Sequence, residues 1–564
     1  MSDYISITNL CNIHYNNRAF SILCKYQENN LLNKYHCIKE TDRCIYDTNQ
    51  ILMNKGNFFE KNVCDYIRKK YPKIKIEEFN SWDSCSKESR KEMRKKMKLL
   101  IKQQVPIIFQ AYLWDKELRI HGYVDLMLRN DIVFELFENL PEKFINLHKK
   151  SQKEKKYFYV IIDVKCKNTK VGNNTDFHIR DGKSDHEDYC FQVTAYYDML
   201  NKIIEQTNSE LIIPNFSCIL GYTICVEGTQ KKTKHCFEEL AFVYHDDKKR
   251  NREKMYTHLK HQIIYNANLF DAVIENGDMW NIITNPTLKV FHPKKDKDYF
   301  PYNNLKKEIL NEMNPSKNKI NNVDDIISFT KKMVIREQDK KRLNSVRYTI
   351  NLDLEFLNAY QVEDFRNFPY TFGFYCVYMI GITIYEGDKF LEKKQFIMRE
   401  ITQEEQYNIY RKFSNYIEKL TENYQKSFII LHWTSAEKTG FKKFIKEEPR
   451  HVELSFFKNY FEIEEKYFFD LWKMFKGDKK KKIPKIELPN GYGIKNVLKL
   501  CKKYGLTKLD WEDNDMDGFN TIAASLMYYN NPINNAYIMD VISRYNIIDC
   551  NAMWVLRNIL LYTN

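Results

Sequence analysis

Nine consecutive residues, Tyr157-Phe-Tyr-Val-Ile-Ile-Asp-Val-Lys165, restrict the fold more than any other part of the chain. β-branched and aromatic side chains fill all but two of the positions, which favours a strand. A run this apolar predicts a strand buried on both faces, inside a sheet covered by helices. It nevertheless carries Asp163 and Lys165. Residues two apart on a strand point to the same face. A buried carboxylate is costly unless a cation or another partner holds it. Two readings follow: a structural Asp–Lys ion pair, or a site that holds a hard metal ion. Taken alone, the run leaves them evenly balanced.

The flanking sequence supplies the sheet and its cover. Apolar spacing predicts helices over 50–70 and 87–104, the second strongly basic. Strands are predicted at 105–114, 118–128, 157–165 and 216–225, with a helix over 189–206. Residues 286–345 break this pattern, with Pro286, Pro293, Pro301 and Pro315 set among lysines, and read as a basic connector. A second α/β pattern begins near Arg347. Its strands are predicted at 348–356, 374–385, 393–398 and 428–433, and its helices at 404–420, 494–504, 520–528 and 540–561. At roughly 100–200 residues per domain, 564 residues suit two large α/β domains, 1–285 and 346–564, around the connector 286–345.

Composition narrows the partner. Lys and Arg number 89 against 75 Asp and Glu, a formal net charge of +14 that favours an anionic partner such as nucleic acid. With 39 Tyr and 36 Phe, the chain is not of the disordered class. The 14 Cys show no CxxC pair, so a zinc ribbon is not expected. The start of the chain carries no apolar signal segment. The apolar, uncharged run Tyr370–Tyr385 is too short for the ~20 residues of a spanning helix. The reading is an intracellular protein in a reducing compartment, with no membrane partner. No G-x-x-x-x-G-K-[ST] occurs, so any ATP-driven motor is expected to be a separate helicase. The basic runs 91–98 and 479–482 could neutralise phosphates, although such runs are usually solvated faces.

Phosphodiester hydrolysis needs a metal ion and an activated water. Besides Asp163 and Lys165, the N-terminal half offers Asp125 in Gly122-Tyr-Val-Asp125, Glu60 beside the buried stripe of the first helix, and Gln192 and Tyr196 one helical turn apart. In this order and spacing the set resembles the RecB-type branch of the PD-(D/E)XK nucleases, over about 52–221. The resemblance implies a restriction-endonuclease-like core. By it, Asp125, Asp163 and Glu60 hold Mg²⁺ or Mn²⁺. Lys165 positions the water or stabilises developing charge, and Gln192 and Tyr196 brace the site and contact DNA phosphate. Some relatives carry an iron–sulfur cluster. Here Cys218, Cys225 and Cys236, with Cys37 or Cys44, are too loosely spaced, and buried thiols are the preferred reading.

The C-terminal half has its own acids: Asp353 and Glu355 on a predicted strand, Glu437 five residues after His432, and Tyr545 with Asp549 at i and i+4. This order resembles the DEDD exonucleases of RNase H-like fold, in the tyrosine subclass. It is similar to the RNase H-like domain fused to RecB-type nucleases in some microbial proteins. The resemblance implies metal-holding roles for Asp353, Glu355, Glu437 and Asp549, and a water-orienting role for Tyr545. His432 and Glu437 stand where the family pattern has Asn and Asp. The added methylene moves the carboxylate by about 1.5 Å, against a catalytic tolerance of ~0.5 Å. The fold expectation is therefore stronger than the activity expectation. Asp470, on another apolar run, is read as structural.

Together the two resemblances imply a DNA exonuclease from a giant virus or an AT-rich microbe, working in host or microbial cytoplasm, in DNA processing or defence against foreign DNA, with homodimerisation possible. The alternatives are a non-catalytic nucleic-acid-binding or dimerisation scaffold, and a 3′–5′ exonuclease on RNA or DNA that works through the C-terminal domain alone.

Overall fold

The computed structural model describes residues 5–7, 48–80, 87–172, 187–226, 232–245, 335–362, 368–370, 373–477, 492–511, 516, 518 and 520–562. Cys37, Cys44, the run 479–482 and the connector up to residue 334 lie outside them. The chain divides into two compact units, one built mainly from residues 54–317, the other from 318–364 and 372–564. Each is mixed α/β, formed around one mixed sheet.

In the first unit the strands are β1 (Ile5–Ser6), β2 (Ile76–Glu78), β3 (Ile107–Asp115), β4 (Ile120–Arg129), β5 (Tyr159–Val171), β6 (Phe216–Val226) and β7 (Ala241–Tyr244). The order is β2-β3-β4-β5-β6-β7, with β1 pairing β4. β3, β4 and β5 run antiparallel in turn, β5 and β6 run parallel, and β7 closes the edge antiparallel to β6. The helices are α1 (Thr48–Lys70), α2 (Lys87–Lys102), α3 (Asn130–Leu136), α4 (Glu142–Glu154) and α5 (Glu187–Thr207). α2 and α5 pack on each other and on β3. Their apolar stripes, Met93, Met97, Leu100 and Ile101 on α2 and Phe191, Ala195, Met199 and Ile203 on α5, join one buried core. Phe59, Val63 and Ile67 form the buried stripe of α1.

One boundary departs from expectation in a way that matters. Asp163 and Lys165 do not end their strand, because β5 continues to Val171. Its pairing with β6 shifts between Lys165 and Asn168. Such a bulge re-aims side chains without ending the ladder, so two residues mid-strand reach a site that the sequence placed at a strand end. The short strands β2 and β7 and the helices α3 and α4 were not anticipated.

The second unit opens with α6 (Glu337–Asn344), inside the span read as connector. Leu343 of this helix is fully buried in the second core, and Arg342 donates to the Lys466 carbonyl at 2.7 Å. The sheet holds β8 (Tyr348–Leu357), β9 (Cys376–Glu386), β10 (Lys389–Ile397), β11 (Phe428–His432) and β12 (Phe468–Asp470) in the order β10-β9-β8-β11-β12. β10, β9 and β8 are antiparallel; β8, β11 and β12 are parallel. Helices α7 (Gln403–Leu420), α8 (Ala436–Glu447), α9 (Tyr460–Tyr467), α10 (Ile494–Lys503), α11 (Asn520–Asn530) and α12 (Ala536–Tyr562) surround it. α12 lies on β8 and β9, where the Trp554 and Tyr385 rings stack at 3.7 Å. α8 covers β8, with Gly440 against Leu354 and Val377. Among the described residues, no helix is long and apolar enough to cross a membrane.

Candidate metal centres

In the first unit, Glu60 from α1, Asp125 from β4 and Asp163 from β5 come together. Gln110 of β3 joins them: its Nε2 donates to Glu60 Oε1, and contacts Asp125 Oδ1 at 3.3 Å. Gln110 sits at φ +49°, a left-handed conformation that costs a non-glycine residue roughly 1–2 kcal/mol. The strand accepts that strain where a polar side chain is aimed at two acids. Sequence reasoning missed Gln110, although it is the polar residue in the apolar run 105–114.

The β4–β5 ladder ends at Leu126–Ile162. Beyond it, the Val164 N–H donates to Asp125 Oδ2 at 2.7 Å. Asp125 thus satisfies a backbone donor that a continuing ladder would have used. Lys165 Nζ lies 2.7 Å from Asp163 Oδ2, and Asp163 is almost fully buried. Burial opposes the charge on Lys165, but Asp163 and Asp125 outweigh it and hold the ammonium above its ordinary range. Burial pushes the Asp125 carboxyl up, and the charges of Glu60 and Asp163 push it further. Glu60 is also raised, by burial first; the Gln110 hydrogen bond opposes the shift, and the Asp163 charge adds to it. Three carboxylates therefore share one ammonium.

Gln192 and Tyr196 sit on α5, and both are buried. A Cβ at Gly122 would stand 2.5 Å from Tyr196 Cε1. The glycine of the Gly122-Tyr-Val-Asp125 segment is what lets this ring lie against β4. Tyr196 therefore packs against the strand that carries an acid. Cys218 and Cys236 are buried thiols that burial holds protonated.

The second unit gathers its acids from more distant parts of the chain. Asp353 and Glu355 lie on β8, Glu437 in the first turn of α8, and Tyr545 and Asp549 on α12. Asn546 Nδ2 donates to Asp353 Oδ2 at 2.7 Å, and Gln395 Nε2 donates to Asn546 Oδ1 at 3.2 Å. Gly381 faces Asp353 in the β8–β9 register, and a Cβ there would fall 1.6 Å from Asn546 Oδ1. Trp511 Nε1 donates to Asp549 Oδ1 at 2.8 Å. Asn546, Gly381 and Trp511 were not singled out from the sequence.

The charges here are barely compensated. Burial raises Asp353, and the charges of Glu355 and Glu437 raise it further. Burial and the Asp549 charge push Glu355 up to about 8. Asp549 is raised by burial and by Asp353, against hydrogen bonds from Tyr545 and Trp511 and the charge of Lys495. The Tyr545 hydroxyl is held protonated by burial and then by the same acids.

Glu437 is buried, and its carboxyl is held high by burial; its Oε2 has no hydrogen-bond partner. His432 Nδ1 is 3.6 Å away, too far for a hydrogen bond. Burial lowers the His432 ring to about 4, so it is neutral near pH 7 and does not pair with Glu437. Asp470 lies opposite His432 in the β11–β12 register, and its charge reaches both His432 and Glu437. The acid read as structural thus borders the centre.

Among the described residues, no three His, Cys, Asp or Glu side chains form a ready-made metal-binding group. The donor chemistry of both clusters still suits a hard divalent cation. Mg²⁺ takes one or two carboxylates and fills its shell with waters and substrate phosphate. A buried carboxylate oxygen without a partner, such as Glu437 Oε2, is a donor such an ion could use. Comparison with protein-family models, curated proteins and solved structures returns no match.

Proposed function

We propose that the chain is a metal-dependent phosphodiester hydrolase acting on DNA, with its principal centre in the first unit. One observation carries the reading: Glu60, Asp125 and Asp163, from three separate elements, converge beside the single ammonium of Lys165. A structural ion pair needs one acid and one base. The two further acids raise the cost of the arrangement without helping the fold, which is the pattern of a site kept for chemistry. Asp125 and Asp163 would hold Mg²⁺ or Mn²⁺, with Glu60 completing the shell directly or through water. Once bound, the ion lowers the pKa of a water and offsets charge on the phosphoryl oxygens.

The protein's own side chains do the rest. Gln110 fixes Glu60 and Asp125 relative to each other. The Val164 N–H holds one oxygen of Asp125 in place. Lys165 pairs with Asp163 and supplies positive charge for a phosphate. In the second unit, Asp353, Glu355, Glu437 and Asp549 would form a second metal centre. There the protonated Tyr545 hydroxyl bonds Asp549 and can orient a water. This reading keeps the RecB-type resemblance for the first unit and the RNase H-like resemblance for the second.

The test is digestion of end-labelled linear and closed circular DNA with Mg²⁺ or Mn²⁺, comparing wild type with Asp163→Ala and Asp353→Ala. Cleavage that vanishes in Asp163→Ala supports the first-unit centre, and digestion of linear DNA alone supports an exonuclease. Cleavage lost only in Asp353→Ala transfers the activity to the second unit. A non-catalytic scaffold is the second reading, favoured by the chain's formal net charge of +14, which suits binding to a polyanion without any chemistry. It predicts DNA binding by all three proteins and cleavage by none.

A further inference from the structure

We infer that the solvent face of α2 is a docking surface for the phosphate backbone of duplex DNA; this rests on the nuclease reading and names how the substrate is held. Lys91, Lys95, Lys98 and Lys102 recur at i, i+4, i+7 and i+11, so they share one face of the helix. The buried face, with Met93, Met97, Leu100 and Ile101, points into the core. Lys91, Lys95 and Lys102 are exposed, and Lys98 is half-buried with its ammonium 5.9 Å from the Trp114 ring centroid.

What separates this face from an ordinary solvated one is its lack of ion pairs: Glu88 and Glu92 stand one turn before Lys91 and Lys95, yet the lysines outnumber them two to one. Among the described residues, none of the four lysines has a carboxylate within ion-pair distance. Neighbouring cations do: Lys96 lies 3.3 Å from Glu77 on the adjacent side of the same helix, and Lys202 is held by Asp115 and Glu117. Like charges one turn apart destabilise a helix by about 0.2–0.5 kcal/mol per pair. A stripe with twice as many lysines as acids, and no ion pair among them, is therefore a standing cost that a polyanion relieves. At 1.5 Å per residue the stripe is about 16 Å long. Duplex DNA presents one charge per ~1.7 Å of axis, more than enough to engage all four. α2 packs on β3 and on α5, the helix of Gln192 and Tyr196, so the stripe belongs to the unit that carries the principal centre.

The experiment measures binding of the full-length protein to a fluorescent duplex in EDTA, across 50–200 mM KCl. It compares wild type with Lys91→Gln/Lys95→Gln/Lys98→Gln/Lys102→Gln. A control removes the same charge from the exposed lysines 149, 150, 153 and 155. At about −0.9 per phosphate contact, the stripe variant should lose ~3–4 from the slope of log K against log salt. Wild type would then lose about 10²-fold more affinity than the variant across that range. The control should keep the wild-type slope. Gln retains helix propensity, and circular dichroism checks the fold. Equal slopes for wild type and variant, or an equal fall in the control, would overturn the surface; Mg²⁺-dependent cleavage persisting in that case would leave the nuclease reading intact. Variant-sensitive binding to phosphatidylserine vesicles with unchanged DNA affinity would also overturn it. Wild type that neither binds nor cleaves DNA would remove both proposals.

Discussion

The two acid clusters solve the same problem in different ways. In the first unit, buried carboxylates are held by a cation, a backbone N–H and a strained glutamine: Lys165, Val164 and Gln110. In the second, the acids lean on one another and on neutral donors, Asn546, Trp511 and Tyr545. Lys495, over the Tyr545 ring at 4.8 Å, is the nearby cation that acts on Asp549. The first cluster carries one ammonium against three carboxylates, so part of its charge is offset by the fold itself, while burial still raises Asp125 and Glu60. The second must take up protons or a divalent ion, because several like charges at low exposure cannot all ionise. The difference separates a centre with built-in compensation from one whose charge state depends on what is bound.

The largest effect should come from removing an acid that has a dedicated partner. Asp163→Ala leaves Lys165 without its ion-pair partner and should cut Mg²⁺-dependent cleavage by at least ~10²–10³-fold, the scale seen when one electrostatic stabiliser is lost. Asp353→Ala should reduce it less, if the first unit leads. A reversed ranking in single-turnover rates would invert the comparison.

Next comes the response to pH and metal. Glu355 ionises near its ordinary 4.5 when unfolded, and near 8 when folded. Between those values the folded unit binds the extra proton. Its contribution to stability is therefore fully present below about pH 4.5 and is lost as pH rises to about 8. In EDTA the second unit's melting transition should fall by several degrees between pH 5 and 8.5. Mn²⁺ should restore it, most strongly at high pH, because binding displaces protons. Glu355→Gln should flatten the profile. A profile that is flat in wild type would show that the acids do not couple.

Two glycines then test how each cluster is supported. Gly381→Ala would drive a methyl into Asn546 and displace the amide that holds Asp353. Gly122→Ala would press on the Tyr196 ring packed against β4. Overpacking of this kind typically costs about 1–3 kcal/mol. Gly381→Ala should also weaken metal binding in the second unit, since a polar support is lost as well as space. Chemical denaturation combined with Mn²⁺ titration would separate the two effects.

Much of this framework was legible in the sequence because strand and helix periodicity is local. The run 157–165 announced β5, and every acid named from the sequence lies in one of the two clusters. The supports were less legible, because they depend on contacts between distant segments. Asn546 reads as an ordinary polar residue of a helix until β9 brings Gly381 against it. Trp511 reads as core until its indole N–H meets Asp549. Gln110 was visible as a polar interruption, but only the opposing Asp125 and the incoming α1 give it a purpose. β2 and β12 span three residues each, too few to show a period. β10 was expected to start at 393 and starts at Lys389, because its exposed first half has no apolar face to read.

The finest test concerns a single neutral donor. Trp511→Phe keeps the ring's bulk but deletes the N–H that reaches Asp549. Trp511 is 5% exposed, so no bulk water stands ready to replace the bond. A lost hydrogen bond to a buried carboxylate costs about 1–3 kcal/mol. The cost should depend on charge state: small at low pH, where Asp549 is protonated, and growing as the carboxyl ionises. Because Lys495 also acts on Asp549, the variant should retain a folded second unit. It should need several-fold more Mn²⁺ for the same rise in melting temperature at pH 8. The Trp511, Asp549 and Lys495 contacts all lie within the second unit, so cleavage that depends on Asp163 should not change. A loss of that cleavage in Trp511→Phe would mean that the two clusters serve one reaction, and the contrast between them would have to be redrawn as a division of labour.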